Sequence, residues 1–267
     1  MMEIELIIAF ISLGAVVGFL AGLLGIGGGL VMVPVLTSIF IWQGIPQEQV
    51  VHLALGTSIA SIVITSISSM RAHHRKGGVL WQVVRLMAPG IIVGAFLATF
   101  VAAVMSSTIL GMFFSCFLVY ASVQMFLNMK PKPTRVLPGK PGLFAAGGVI
   151  GSISALVSIG GGTLTVPFLS WHNIDVKKAI GTSAAIGLPI SVAGTLGYLV
   201  NGLSADLNID YVFGFIYLPG VILISMMSFL TASLGAHVSH LLPVPVLKKV
   251  FAVLLLGLAI KMISSVV

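Results

Sequence analysis

Ten apolar runs divide the chain, at about residues 4–24, 29–42, 49–70, 82–105, 107–128, 142–159, 163–172, 179–200, 211–235 and 246–266. None alternates with the period of two that a membrane barrel strand requires. Most approach the roughly 20 apolar residues of a bilayer-spanning helix, and polar residues gather in the gaps between them. The second and seventh runs are too short for a full crossing, so the pattern predicts that they are broken or re-entrant. One linker interrupts the series, KPKPTRVLPGKP at 130–141, whose four prolines cannot belong to a membrane helix.

The halves on either side of that linker repeat. Residues 18–36 read GFLAGLLGIGGGLVMVPVL and residues 151–169 read GSISALVSIGGGTLTVPFL, with nine of nineteen positions identical at an offset of 133. Gly56-Thr57-Ser58 recurs as Gly181-Thr182-Ser183, and Pro89-Gly90 as Pro219-Gly220, in the same order. An ordered set of this kind indicates duplication: an N-terminal repeat over 1–129, the linker at 130–141, and a C-terminal repeat over 142–267.

Composition fixes the solvent. Of 267 residues, 58% are hydrophobic and 7% charged, with a mean hydropathy of +1.19, against about 25% charged in a soluble domain. So few charges cannot cover a water-facing globule, and the expected class is an all-α polytopic membrane protein. The net charge of +7 lies in short clusters between apolar runs, the pattern of cytoplasmic loops rather than of nucleic-acid binding. Cys116 is the single cysteine and has no disulfide partner. The N-terminus lacks a positive leader region and is expected to open the first helix directly.

The same charges orient the repeats. The third run ends in RAHHRK at 71–76, whereas its partner, the eighth, ends in NGLSADLNID at 201–210. The positive-inside rule places the first end in the cytoplasm and the second outside. Equivalent helices then run in opposite directions, giving two inverted repeats of about five helices each, some of them short, broken or re-entrant. The expected protein is multi-pass in the cell membrane, with its N-terminus external and its central linker cytoplasmic.

Inverted repeats are a transporter signature, with substrate held near the midplane at broken helices. Gly27, Gly28 and Gly29 and their copies Gly160, Gly161 and Gly162 fall where one helix ends and the next begins. Such a break offers helix N-terminal N–H groups to an anion. Pro34 and Pro167, five residues on, each remove a backbone donor and are the helix-break or gating candidates. Thr57, Ser58, Thr182 and Ser183 add hydroxyls at equivalent depth, although such side chains also bond back to their own helix. By contrast, Gly14, Gly18 and Gly22 are spaced for helix packing. No Asp or Glu lies centrally in an apolar run, which argues against a carboxylate-driven cation pump. His237 and His240 lack a nearby carboxylate or thiol, so no metal site is expected, and no nucleophile–base arrangement or phosphate-binding lysine motif suggests an enzyme or a cofactor.

The paired glycine-rich segments followed by Val-Pro, each with a later Gly-Thr-Ser, resemble the TauE/SafE family of membrane transport proteins across nearly the whole chain. The resemblance implies export of sulfite or related organosulfur anions. The expected partners are a small anionic substrate and the lipid bilayer, with nucleic acid set aside and homo-oligomerisation compatible with the sequence. The alternatives from the residues are a passive anion channel and, with less behind it, a membrane enzyme or assembly factor.

Overall fold

A computed structural model of the protein describes residues 4–24, 28–127, 135–205, 207, 209–239 and 244–266. Gly27, residues 130–134 of the linker and His240 lie outside them. Ten helices follow one another: α1 (Ile4–Leu24), α2 (Gly29–Trp42), α3 (Gln47–Arg75), α4 (Trp81–Val104), α5 (Ser107–Phe126), α6 (Lys140–Leu156), α7 (Gly162–Trp171), α8 (Val176–Leu203), α9 (Leu218–Ser239) and α10 (Val244–Val266). Two short strands, β1 (Val212–Phe213) and β2 (Ile216–Tyr217), precede α9. Among the described residues, six helices are long and apolar enough to cross a membrane, namely α1, α3, α4, α5, α8 and α10. The chain is a polytopic all-α membrane protein.

Local chemistry sets several boundaries. Asp175 caps α8 by accepting from the N–H groups of Lys177 and Lys178, and Ser106 caps α5 through Ile109 N–H. The basic end of α3 stays helical to Arg75 and closes on Gly77, at φ +65. Gly77 N–H donates to His74 O and Gly78 N–H to His73 O, the paired bonds of a glycine C-terminal motif.

The short helices double back. Phe10 of α1 and Phe40 of α2 have ring centroids 6.5 Å apart, so the start of α1 and the end of α2 lie together. In the other half, Arg135 N–H, ahead of α6, donates to Trp171 O at the end of α7 (3.3 Å). At about 1.5 Å per residue, α2 and α7 extend roughly 21 and 15 Å, short of the ~30 Å hydrocarbon core. Runs one–two and six–seven are hairpins.

Helix pairing is symmetric under exchange of the halves. Gly14 and Gly18 of α1 pack on Ile224 and Ser228 of α9. Their copies, Gly147 and Gly151 of α6, pack on Met87 and Ile91 of α4. In both pairs the numbers rise together, so the helices are parallel. Helices that pair with their own copies are antiparallel. In α3 and α8, Ile59 meets Gly194 and Ser66 meets Gly187. In α5 and α10, Thr108 Oγ1 donates to Val266 O (3.1 Å) and Ser122 Oγ to Ala252 O (2.7 Å). A two-fold axis along the helices would make such pairs parallel. The axis therefore runs across them, which makes the repeats inverted without appeal to charge.

Two expectations change. The ninth apolar run, at about 211–235, predicts a single helix, but 212–217 form a β-hairpin in register Val212 to Tyr217 and Phe213 to Ile216. Alternating aromatic and β-branched residues suit strands, and Gly214, at φ +60, opens a two-residue turn of the kind that requires it. The Pro-Gly recurrence is not structural. The packing above sets Met87 against Ile224 and Ile91 against Ser228, an offset of 137, whereas Pro89 and Pro219 are 130 apart.

Candidate functional site

The two glycine breaks meet. Gly161 caps α7 in the left-handed conformation, φ +80, which a side chain would strain. In the other half, Gly28 precedes α2 at φ −60. A methyl on Gly29 would overlap the carbonyl oxygen of Ser158, just ahead of the second break. Ile62 of α3 spans the two, with side-chain carbons 3.1 Å from a methyl built on Gly29 and 3.5 Å from one on Gly160. Across from it, a methyl on Gly187 of α8 would lie 2.7 Å from Gly160 O and 3.1 Å from Ser66 Oγ. Ser158, held at φ +44, donates through Oγ to Leu55 O (2.7 Å). Both breaks thus abut the α3–α8 crossing.

Above and below that level sit two matched clamps. Thr57 Oγ1 accepts from Tyr217 N–H at 2.9 Å, while Gly56 fits against Phe215 O. Thr182 Oγ1 accepts from Leu80 N–H at 3.0 Å, while Gly181 fits against Gly78 O. Each clamp fastens the backbone immediately before the fourth helix of the opposite repeat. The Gly-Thr-Ser motif is read in sequence as a lining element; here its threonine oxygens, both fully buried, hold loops. Ser183 Oγ bonds back to Ile180 O (2.9 Å), whereas Ser58 Oγ is buried without a partner. By the α3–α8 register, Thr182 lies level with residue 71 of α3. The clamps are fourteen residues apart along α3, about 21 Å, with Ile62 and Ser66 marking the glycine level between them.

Pro34 and Pro167 sit inside α2 and α7, not at the breaks, which the glycines make alone. Each proline leaves one carbonyl four residues earlier, Leu30 or Thr163, without its helical donor. His52, which is not among the candidates read from sequence, is buried beside the first clamp. Its ring stacks on Phe215 at 5.2 Å, and Nε2 donates to Ala102 O at 2.9 Å, which braces the hairpin. Of the other histidines, His74 Nδ1 accepts from Trp81 Nε1 (3.1 Å) at the basic end of α3. A cavity beside the hairpin, lined by Gly202, Leu203, Leu207, Val212, Phe213 and Gly214, includes none of the residues expected from sequence.

All side chains at the glycine level are neutral, so the electrostatics there come from backbone dipoles. The N–H groups of Gly160, Gly161, Gly162 and Thr163 donate to no carbonyl or side chain among the described residues. Four bare N–H groups at a helix start favour a negative charge.

Comparison with known proteins agrees with this architecture. Residues 10–262 match the family described as sulfite exporter TauE/SafE. A probable membrane transporter protein from Haemophilus influenzae is 40% identical over 257 residues, covering 96% of this chain and 97% of that one. A probable membrane transporter protein from Methanocaldococcus jannaschii is 28% identical over 86% of this chain and 85% of its own. The probable membrane transporter protein YdhB from Bacillus subtilis is 28% identical over 86% and 89%. No solved structure matches.

Proposed function

This chain belongs to the sulfite exporter TauE/SafE family, and from that premise we propose that it carries a small anion, sulfite or a related organosulfur or sulfonate anion, out of the cell across the cytoplasmic membrane. The observation that carries the proposal is the meeting of the two glycine breaks at the α3–α8 crossing, between clamps of opposite origin. Gly28, Gly29, Gly160, Gly161 and Gly162 would form the backbone cradle, with Gly27 as its remaining sequence candidate. Thr57 and Thr182 would close it from either end, and Ser58 would face it from α3. The basic end of α3 would lie in the cytoplasm and the hairpin outside, in keeping with the charge asymmetry.

Energetics favours outward movement without ion coupling. An anion leaving a negative interior gains about 2.3 kcal/mol per charge per 100 mV. For a dianion that is roughly 4.6 kcal/mol, about three decades of concentration. The experiment is a counterflow panel in proteoliposomes with sulfite, sulfate, thiosulfate, sulfoacetate and a carboxylate control. Saturable counterflow of one or more sulfur oxyanions, accelerated by an imposed potential and indifferent to proton or sodium gradients, is expected. Flux that does not saturate and shows no counterflow would mean a channel. Strict dependence on a gradient would defeat uniport.

A further inference from the structure

The two breaks are not chemically equal. At the offset of 133, Thr163 and Thr165 in the first turn of α7 replace Leu30 and Met32 in the first turn of α2. All four are buried: Leu30 and Met32 are 1% exposed, Thr163 8% and Thr165 0%. Neither threonine hydroxyl has a hydrogen-bond partner among the described residues. By contrast, Ser61, Thr195 and Thr231 each bond back to the carbonyl four residues earlier, the ordinary outlet for a hydroxyl in a membrane helix. Burying a hydroxyl without a partner is unfavourable, so two in one turn call for a reason.

Their direction supplies it. Side chains on a helix lean toward its N-terminus, so first-turn hydroxyls point toward the break. Thr165 Oγ1 lies 3.5 Å from where a Cβ on Gly161 would stand, beside the bare N–H groups of Gly160–Thr163. Of the three other buried hydroxyls without a partner among the described residues, Thr37, Ser58 and Ser154, Ser58 lies on α3 between Leu55, which holds Ser158, and Ile62, which touches Gly160.

We propose that the anion site is one-sided. The α7 break, with the hydroxyls of Thr163 and Thr165 and that of Ser58 opposite, donates to the oxygens of a small oxyanion. The α2 break supplies an apolar wall through Leu30 and Met32. Thr163 and Thr165 are then the residues that set anion affinity. The inference rests on the transport reading above and can fail separately from it.

The test uses binding of radiolabelled sulfite to purified protein, alongside counterflow. In Thr163→Val/Thr165→Val the half-saturating sulfite concentration should rise about tenfold or more, while Thr163→Ser/Thr165→Ser should stay within about twofold of the parent. Since neither hydroxyl makes a bond among the described residues, the valine variant should fold and, without sulfite, unfold at an equal or higher temperature. Ser115→Ala, which removes a buried hydroxyl bonded back to Gly111 O on α5, should leave sulfite affinity unchanged. Saturable binding with the same half-saturation in the valine variant overturns this site and leaves the transport reading standing. A valine variant that unfolds at a lower temperature would make the hydroxyls structural and equally overturn it. If the parent protein neither binds nor counterflows sulfite, the functional reading falls and this site with it.

Discussion

Cutting one clamp should open one face of the protein and leave the other shut. Thr57→Val and Thr182→Val are close in shape to the parent residues but remove the hydroxyl that accepts from Tyr217 N–H and Leu80 N–H respectively. A buried N–H left unsatisfied costs about 1–3 kcal/mol, which converts to roughly 5- to 150-fold in the equilibrium between docked and released loop. The assay places a single cysteine at Ile216 or at Val79, in a Cys116→Ser background, and follows its reaction with a membrane-impermeant maleimide. Thr57→Val should accelerate labelling at 216 within that range and leave 79 unchanged; Thr182→Val should do the reverse. Thr57→Ser and Thr182→Ser keep the acceptor oxygen and should label like the parent. If either valine variant moved both sites together, or neither moved either site, the oxygens would not be acting as independent clamps.

Gly14→Ala should destabilise the protein, because its methyl would stand 2.7 Å from Ile224 O and push α1 off α9; Gly257→Ala, with nothing within 4 Å, should be neutral or gain up to about 1 kcal/mol. Equal unfolding temperatures in detergent for the two would contradict the packing role of the α1 glycines. Single cysteines replacing Lys76 and Ser204 should be labelled from opposite sides of the membrane, cytoplasmic and external respectively, and labelling from one side would end the proposed orientation.

The membrane frame is legible in sequence because lipid imposes it residue by residue: an apolar run of fixed length has few other uses, and the triple glycines interrupt two of them at matching places. The packing role of Gly14 and Gly18 is legible for the same reason, through spacing alone. The hairpin at 212–217 is not, since its residues are as apolar as a helix and only Gly214 hints at the turn. The clamps are less legible still. Thr57 and its partner Tyr217 are 160 residues apart, and no local pattern distinguishes a hydroxyl that holds a distant backbone from one that lines a path. The Pro-Gly recurrence misleads in the opposite direction: a dipeptide match at the wrong offset looks like symmetry until packing sets the register. What could have been noticed is the difference between the copies, Leu30 and Met32 against Thr163 and Thr165, because a duplication makes every departure from identity informative.

The arrangement of α3 and α8 carries the mechanism furthest. Each of these helices bears one clamp and one wall of the glycine level: Thr57 and Ile62 on α3, Thr182 and Gly187 on α8. Because they cross antiparallel, equal sequence positions end at opposite faces, and a motif written twice becomes two closures about 21 Å apart with the breaks between them. Each closure also joins the two repeats, since the threonine of one holds the loop of the other. In the proposed transport cycle either loop can leave its threonine without breaking the other bond, since the two contacts share no residue. Two equivalent bonds on either side of the crossing, each worth a few kcal/mol at most, are strong enough to keep the proposed site shut and weak enough for the proposed anion to bias. A pore open at both ends would need both bonds broken together, at the sum of their costs, and the proposed carrier needs only one broken at a time.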